Sequence, residues 1–178
     1  YCFSSGESLL ATTANRFLRI LNQTRLVNLY GTSEIAADVT FFTVEEPVVR
    51  SSVPIGRPIS NTEIHILNED MSPVYTGESG EIFVAGASLA AGYLNQLALT
   101  NKKFMVKLGQ LEKRLYATGD LGRVLPSGDI EYLGRKDEQI KIRGVRIELG
   151  DIEAAILKIP QVVRVAVVKV DEEDSARL

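Results

Sequence analysis

Between Glu7 and Glu34 the apolar pattern changes period, and this change restricts the possible folds more than any other feature of the chain. Leu10, Ala14, Phe17, Leu18 and Leu21 recur at helical spacing, which predicts an amphipathic helix over residues 7–23. Residues 1–5 read as the end of a short strand, and Leu26–Leu29 as a second strand that stops at Tyr30-Gly31-Thr32-Ser33. Strand, helix, strand and then a polar, glycine-containing loop is the pattern of an α/β sheet. Ligands of such sheets sit at the carboxyl ends of the strands, so topology alone makes residues 28–34 a candidate site.

The rest of the chain has a different texture. Residues 47–60 are rich in Pro, Ser and Gly and form a connection. Residues 63–67 alternate polar and apolar and predict a strand, with a turn at Asn68-Glu69-Asp70. Further short strands are expected at 81–85, around Tyr116, at 122–125 and at 129–133, the last two joined through Pro126-Ser127-Gly128. Together these make a small, mostly antiparallel β unit. After Gly134, residues 139–142 and 145–147 alternate around Gly144 as a hairpin, and Gly150 opens a helix through Lys158 that Pro160 closes. Val162–Val170 then reads as a β-branched strand, and an acidic stretch follows at 171–174. The expected fold is α/β and β: residues 1–135 in one region (an α/β segment over 1–50 and a mostly β unit over 51–135), then a small α+β unit from 136 to 178.

Composition excludes several functions. The 178 residues, 45 % of them apolar, suffice for a sizeable core. The net charge of −3 gives no electrostatic footprint for nucleic acid. With one cysteine, Cys2, and one histidine, His65, the chain can build neither an internal disulfide nor a histidine-based triad or metal cluster of its own. Cys2 reads as a small buried hydrophobe and His65 as a strand residue facing solvent. The apolar runs are too short for a membrane span and the start shows no targeting segment, so a cytoplasmic location without a membrane partner is expected. The chain opens on Tyr1 inside a predicted strand, which suggests a piece of a longer polypeptide.

Three segments carry chemical potential. Asn28-Leu29-Tyr30-Gly31-Thr32-Ser33-Glu34 offers an aromatic face for a base, a glycine for close approach to phosphate, two hydroxyl donors and a carboxylate for a hard cation; alternatively it is a solvated loop with Tyr30 packed on the core. In Tyr116-Ala117-Thr118-Gly119-Asp120, a carboxylate at a strand–turn junction can take both ribose hydroxyls, or mark an ordinary Gly-Asp turn. Residues 134–144 are charged and sit at the boundary between the two regions. Arg135 and Lys141 there could neutralise phosphate, and Asp137 could serve as a hinge, unless the run is only a solvated strand edge.

In order, Gly6-Glu7, residues 28–34, Ile55-Gly56-Arg57-Pro58, Gly80-Glu81-Ile82, Gly92-Tyr93-Leu94, residues 116–121 and the long run 134–153 resemble the signature series of the adenylation domains of nonribosomal peptide synthetases. These domains belong to the wider adenylate-forming, AMP-binding superfamily. The resemblance covers nearly the whole chain. It implies a partial adenylate-forming fold: the back part of the large subdomain, then the start of the small mobile one.

The resemblance also implies roles. Tyr30 would stack on adenine with Gly6 and Glu7 near its other face, and Asn28 would meet the adenine edge. Thr32 and Ser33, beside Gly31, would contact the α-phosphate, and Glu34 would bind Mg2+. Asp120 would hold the ribose, with Tyr132 nearby and Arg135 reaching ribose or phosphate; Ser33, Glu34 and Arg135 would carry the catalytic work. Phe3, Ser5, Leu29, Ala37 and Asp38 would wall the substrate pocket, and Asp137 would be the hinge of the small subdomain. The implied cofactors are ATP/AMP, Mg2+ and the phosphopantetheine of a peptidyl carrier protein; the implied substrate is an amino acid or related carboxylic acid. Thr32-Ser33 departs from the family's usual Pro-Thr, retaining the hydroxyl while loosening the loop, and Ala117 replaces a commonly basic residue. The glycine-rich phosphate loop and the catalytic lysine of the family have no counterpart in this sequence, so the isolated chain is expected to be inactive. The alternatives are an acyl-CoA ligase of the same superfamily and a non-catalytic scaffold that keeps the fold.

Overall fold

In a computed structural model, the structure describes residues 1–108, 111–136, 140–142, 145–147, 149–168, 170–172 and 175–177. They group into two units, Tyr1–Lys136 and Asp137–Leu178.

The first unit opens with strand β1 (Cys2–Ser4), helix α1 (Ala11–Ile20) and strand β2 (Leu26–Thr32), with β1 and β2 parallel. The helix starts four residues later than its apolar spacing predicts. The preceding backbone is used elsewhere: Val53 N donates to the Leu9 carbonyl at 2.8 Å, and Leu10 bridges to Ser52. Ala11 and Ala14 are buried, and Phe17 and Leu18 pack on Leu9, Leu26, Val44 and Val53. Leu10 and Leu21, counted in the predicted apolar face, are exposed.

Strand β2 runs on through Tyr30-Gly31-Thr32, a stretch the sequence presents as loop. The reason is an antiparallel partner that the sequence does not announce, β3 (Ala37–Val44). One 3-10 turn, Ser33–Ile35, joins them, and a bulge lies at Tyr30/Gly31. A Cβ on Gly31 would stand 1.5 Å from the Ala37 carbonyl oxygen. Glycine is therefore needed here for the close approach of β3, a reason separate from any phosphate contact. The short strand β4 (Arg57–Pro58) completes the sheet order β1-β2-β3-β4. Thr40 is fully buried in β3, and its hydroxyl donates to the Ile55 carbonyl at 2.6 Å. Thr40→Val leaves that carbonyl unpaired and should cost about 1–2 kcal/mol, read as a lower urea midpoint with an unchanged m-value.

The second sheet contains β5 (Thr62–Leu67), β6 (Gly80–Gly86), β7 (Phe104–Leu108), β8 (Leu111–Val124) and β9 (Ile130–Arg135), with helix α2 (Leu97–Lys103) leading into β7. Its order is β5-β6-β8-β7, with β9 also on β8. The two short strands expected near Tyr116 and at 122–125 are one strand of 14 residues, because β6 and β9 pair along it past the glycines that read as breaks. His65 is partly buried rather than solvent-facing, with Nε2 3.3 Å from the Glu63 carboxylate. Tyr30 and Val39 of the first sheet, with Ile35 of the turn between their strands, share a core with Ile66, Ile82, Val84, Phe104 and Tyr116 of the second. This shared core sets the β2–β3 hairpin against β8.

The second unit has an antiparallel hairpin, β10 (Ile140–Ile142) and β11 (Val145–Ile147), then α3 (Leu149–Ile156). A second hairpin follows, β12 (Val170–Glu172) and β13 (Ser175–Arg177). The β-branched run Val162–Val168, expected as a strand, is not one. No strand pairs with it among the described residues, and β-propensity is expressed only against a partner. Its one described tie to the helix is Val167 N donating to Glu153 Oε1 at 2.9 Å.

Candidate functional site

The site grows from one carboxylate. Asp120 lies on β8 and is 4 % exposed. Its register partner on β9 is Arg135, whose Nη1 donates to Asp120 Oδ1 at 2.9 Å and to the Thr118 carbonyl at 2.9 Å. The other oxygen, Oδ2, accepts the Tyr30 hydroxyl at 2.6 Å, a bond between residues 90 positions apart. Thr118 fixes the backbone beneath: its hydroxyl accepts from Asp120 N at 3.0 Å and donates to the Ile82 carbonyl at 2.7 Å. The Tyr132 ring stands 6.2 Å from the Tyr30 ring, tilted by 41°. Tyr30, Asp120, Tyr132 and Arg135 are thus brought together.

Burial first, then the neighbouring Asp120 charge, push the Tyr30 phenol well above its ordinary pKa. A group whose folded pKa is raised contributes stability in full below its unfolded value, and loses it as pH climbs towards the folded one. The urea midpoint of the protein should therefore fall from about pH 10 upward. Tyr30→Phe, having no proton to lose, should flatten that fall when midpoints are compared at successive pH values.

Two buried polar atoms at this end of β2 have no hydrogen-bond partner among the described residues: Asn28 Oδ1 and Thr32 Oγ1. The Asn28 amide is oriented by donation of Nδ2 to the Pro54 carbonyl at 2.9 Å, which leaves Oδ1 as a fixed acceptor in a side chain 2 % exposed. Buried polar groups normally have partners. An acceptor at Asn28 suits an exocyclic amine, and a hydroxyl at Thr32 suits a phosphate oxygen. Each Asp120 oxygen keeps lone-pair capacity beyond its one described bond, enough for a sugar diol.

Glu34 sits in the 3-10 turn and is 8 % exposed. Its Oε1 accepts the Tyr93 hydroxyl at 2.7 Å, and its carbonyl accepts from Ala90 N at 2.8 Å. Burial and the bond to Glu34 raise the Tyr93 phenol, which stays a donor. No group of three or more His, Cys, Asp or Glu side chains gathers among the described residues. A single carboxylate suits Mg2+, which keeps waters and takes substrate phosphate oxygens for its remaining positions.

The other expected site residues are distributed as follows. Ser33 and Glu7 are exposed, and Gly6 has a φ of +93°. The Ser5 hydroxyl donates to Asp38 Oδ1 at 2.6 Å, tying the end of β1 to the start of β3 across β2. Leu29 and Ala37 lie on the adjoining strands, while Phe3 is 63 % exposed and stacked on Tyr1. Asp137 lies outside the described residues, as does the side chain of Lys141. Sequence reasoning missed Thr118 and Tyr93 as parts of the site. Both stand inside noted motifs, yet nothing local to either links it to Ile82 or Glu34.

The profile of the family described as "AMP-binding enzyme" matches residues 1–94. A mycosubtilin synthase polypeptide of Bacillus subtilis is 47 % identical over 166 residues, which is 91 % of this chain and 6 % of that protein. An artificially fused adenylation–PCP di-domain from Klebsiella oxytoca, NpsA-ThdA, matches with a TM-score of 0.87 and 28 % identity, over 98 % of this chain and 33 % of that one. The Vibrio cholerae adenylation domain AlmE, solved with glycyl-adenosine-5'-phosphate, gives 0.84 and 30 % identity, over 97 % and 33 %. The chain thus spans a small fraction of the synthase and about a third of each solved structure.

Proposed function

The chain belongs to the AMP-binding enzyme family, and on that premise we propose that it forms the back part of an amino-acid-activating adenylation domain of the peptide synthetase type. The observation that carries this reading is the Asp120 carboxylate fixed between Tyr30 and Arg135, with the buried acceptor of Asn28 on the same strand as Tyr30. Asn28 Oδ1 takes the adenine amine, Tyr30 stacks on the ring, and Asp120 takes the ribose hydroxyls with Tyr132 nearby. Thr32, with Ser33, donates to the α-phosphate. Arg135 offsets negative charge while orienting Asp120. Gly6 and Glu7 lie against the nucleotide, and Phe3, Ser5, Leu29, Ala37 and Asp38 bound the substrate.

The substrate carboxylate attacks the α-phosphorus of ATP, the bond to pyrophosphate breaks, and an acyl-adenylate forms. The phosphopantetheine thiol of a carrier protein then attacks the acyl carbon, the acyl–phosphate bond breaks and AMP leaves, with Asp137 as the hinge between half-reactions. Mg2+, when held by Glu34, supplies Lewis-acid neutralisation of phosphate charge. The partner assignment draws on the adenylation–PCP di-domain among the similar structures, and the adenylate on the glycyl-AMP complex. No described helix is long and apolar enough to cross a membrane, and a cytoplasmic location fits this chemistry.

The test is pyrophosphate exchange by the intact adenylation domain against a panel of amino and hydroxy acids, beside the isolated chain. Exchange dependent on an amino acid, seen only with the intact domain, is expected. A folded intact domain that exchanges with none of them would contradict the proposal.

A further inference from the structure

We propose that Tyr93 is a positioning residue for Glu34, built into a strap of residues 90–93 that sets the carboxylate for the metal. The inference rests on the functional reading above and extends it to a residue outside the nucleotide cluster.

The strap holds Glu34 at two points. Ala90 N donates to its backbone carbonyl at 2.8 Å, and the Tyr93 hydroxyl donates to Oε1 at 2.7 Å. With both ends fixed, the carboxylate cannot rotate about its terminal bond without losing a part-buried hydrogen bond. The strap is itself anchored. Arg114 donates from Nη1 to the Ala90 carbonyl at 2.7 Å and from Nη2 to the Ala91 carbonyl at 2.8 Å. The Thr100 hydroxyl accepts from Tyr93 N at 2.9 Å. Gly92, at φ +147°, lets the strap lie on Thr100, whose Cγ2 would stand 2.4 Å from any Cβ there. The Tyr93 ring meets Phe104 edge-on at 5.8 Å, and the Arg114 guanidinium covers Phe104 at 4.6 Å. This apparatus fixes the phenol where its hydroxyl donates to the carboxylate. Groups that orient a metal ligand commonly change metal affinity by about 10–100-fold when removed.

In the intact adenylation domain, Tyr93→Phe removes the hydroxyl and keeps the ring. Mn2+ binding in the presence of ATP, followed by electron paramagnetic resonance, should weaken about tenfold, and the Mg2+ needed for half-maximal pyrophosphate exchange should rise by a similar factor. The loss at saturating Mg2+ should be smaller, and the amino-acid KM should not move. Should Tyr93→Phe not accumulate, Thr100→Ala, which frees the Tyr93 backbone, reads the same two quantities and should shift them in the same direction. Unchanged Mn2+ affinity in the variant overturns the inference, as does a uniform loss of rate that metal does not relieve. A wild-type domain without ATP-dependent Mn2+ binding and without exchange removes the functional reading itself. Normal wild-type binding with an unaltered variant removes only the role of Tyr93.

Discussion

Replacing Asp120 by alanine is expected to destabilise the protein by about 3–5 kcal/mol and to abolish adenylation by the intact domain. Two side chains depend on this carboxylate. The Arg135 guanidinium, 14 % exposed in its side chain, loses its paired charge, and the Tyr30 hydroxyl loses its acceptor. The Asp120 pair also ties the β2–β3 hairpin to β8, so the loss spreads across both sheets. Asp120→Asn separates the two consequences. The amide keeps the shape and one acceptor, so the stability loss should be smaller, while ribose binding still suffers because the amide nitrogen cannot accept. Urea denaturation combined with pyrophosphate exchange distinguishes the variants: alanine should fail in both, asparagine chiefly in exchange.

Gly31→Ala should be the most damaging substitution of a single methyl group. Its Cβ would lie 1.5 Å from the Ala37 oxygen, 2.5 Å from the Ala37 carbonyl carbon and 2.7 Å from Asp38 Cα. All three are backbone atoms, so no side chain can swing away. Relief requires opening the hairpin at its bulge, which displaces Thr32, Glu34 and Asp38 together. The cost should exceed the usual overpacking range of about 1–3 kcal/mol. The variant is expected to fail to accumulate in folded form, or to melt far below the parent. Gly77→Ala is the control. Nothing lies within 4 Å of its Cβ, so only the strain of a φ of +91° remains. That costs about 1–2 kcal/mol, and the melting temperature should fall modestly.

What could be read in the sequence was whatever depends on near neighbours. The alternation of Thr62–Leu67, the Pro126-Ser127-Gly128 turn and the Ile140–Ile147 hairpin were legible because each pattern is complete within a few residues. Strand β3 was not: Ala37–Val44 carries no clean alternation, and it becomes a strand only by pairing with β2. For the same reason Tyr30–Thr32 read as loop. The helix and strand over Leu97–Leu108 were missed, since α2 buries no residue and so shows no apolar stripe. In the opposite sense, Val162–Val168 shows that β-branched composition without a partner does not make a strand.

The candidate site divides along the same line. Individual groups such as Tyr30, Glu34 and Asp120 stand out by chemical type. No local rule joins Tyr30 to a carboxylate 90 residues away, or Glu34 to a phenol 59 residues away. Family resemblance implied that Tyr30 and Asp120 serve one nucleotide, and only coordinates supplied the bond between them and the second pairing.

The decisive measurement is a crystal structure of the intact adenylation domain with AMP. The account requires the base amine within hydrogen-bonding distance of Asn28 Oδ1 and the sugar hydroxyls on Asp120, with the Tyr30 and Arg135 contacts retained. AMP seated elsewhere, leaving both Asn28 and Asp120 untouched, would contradict it.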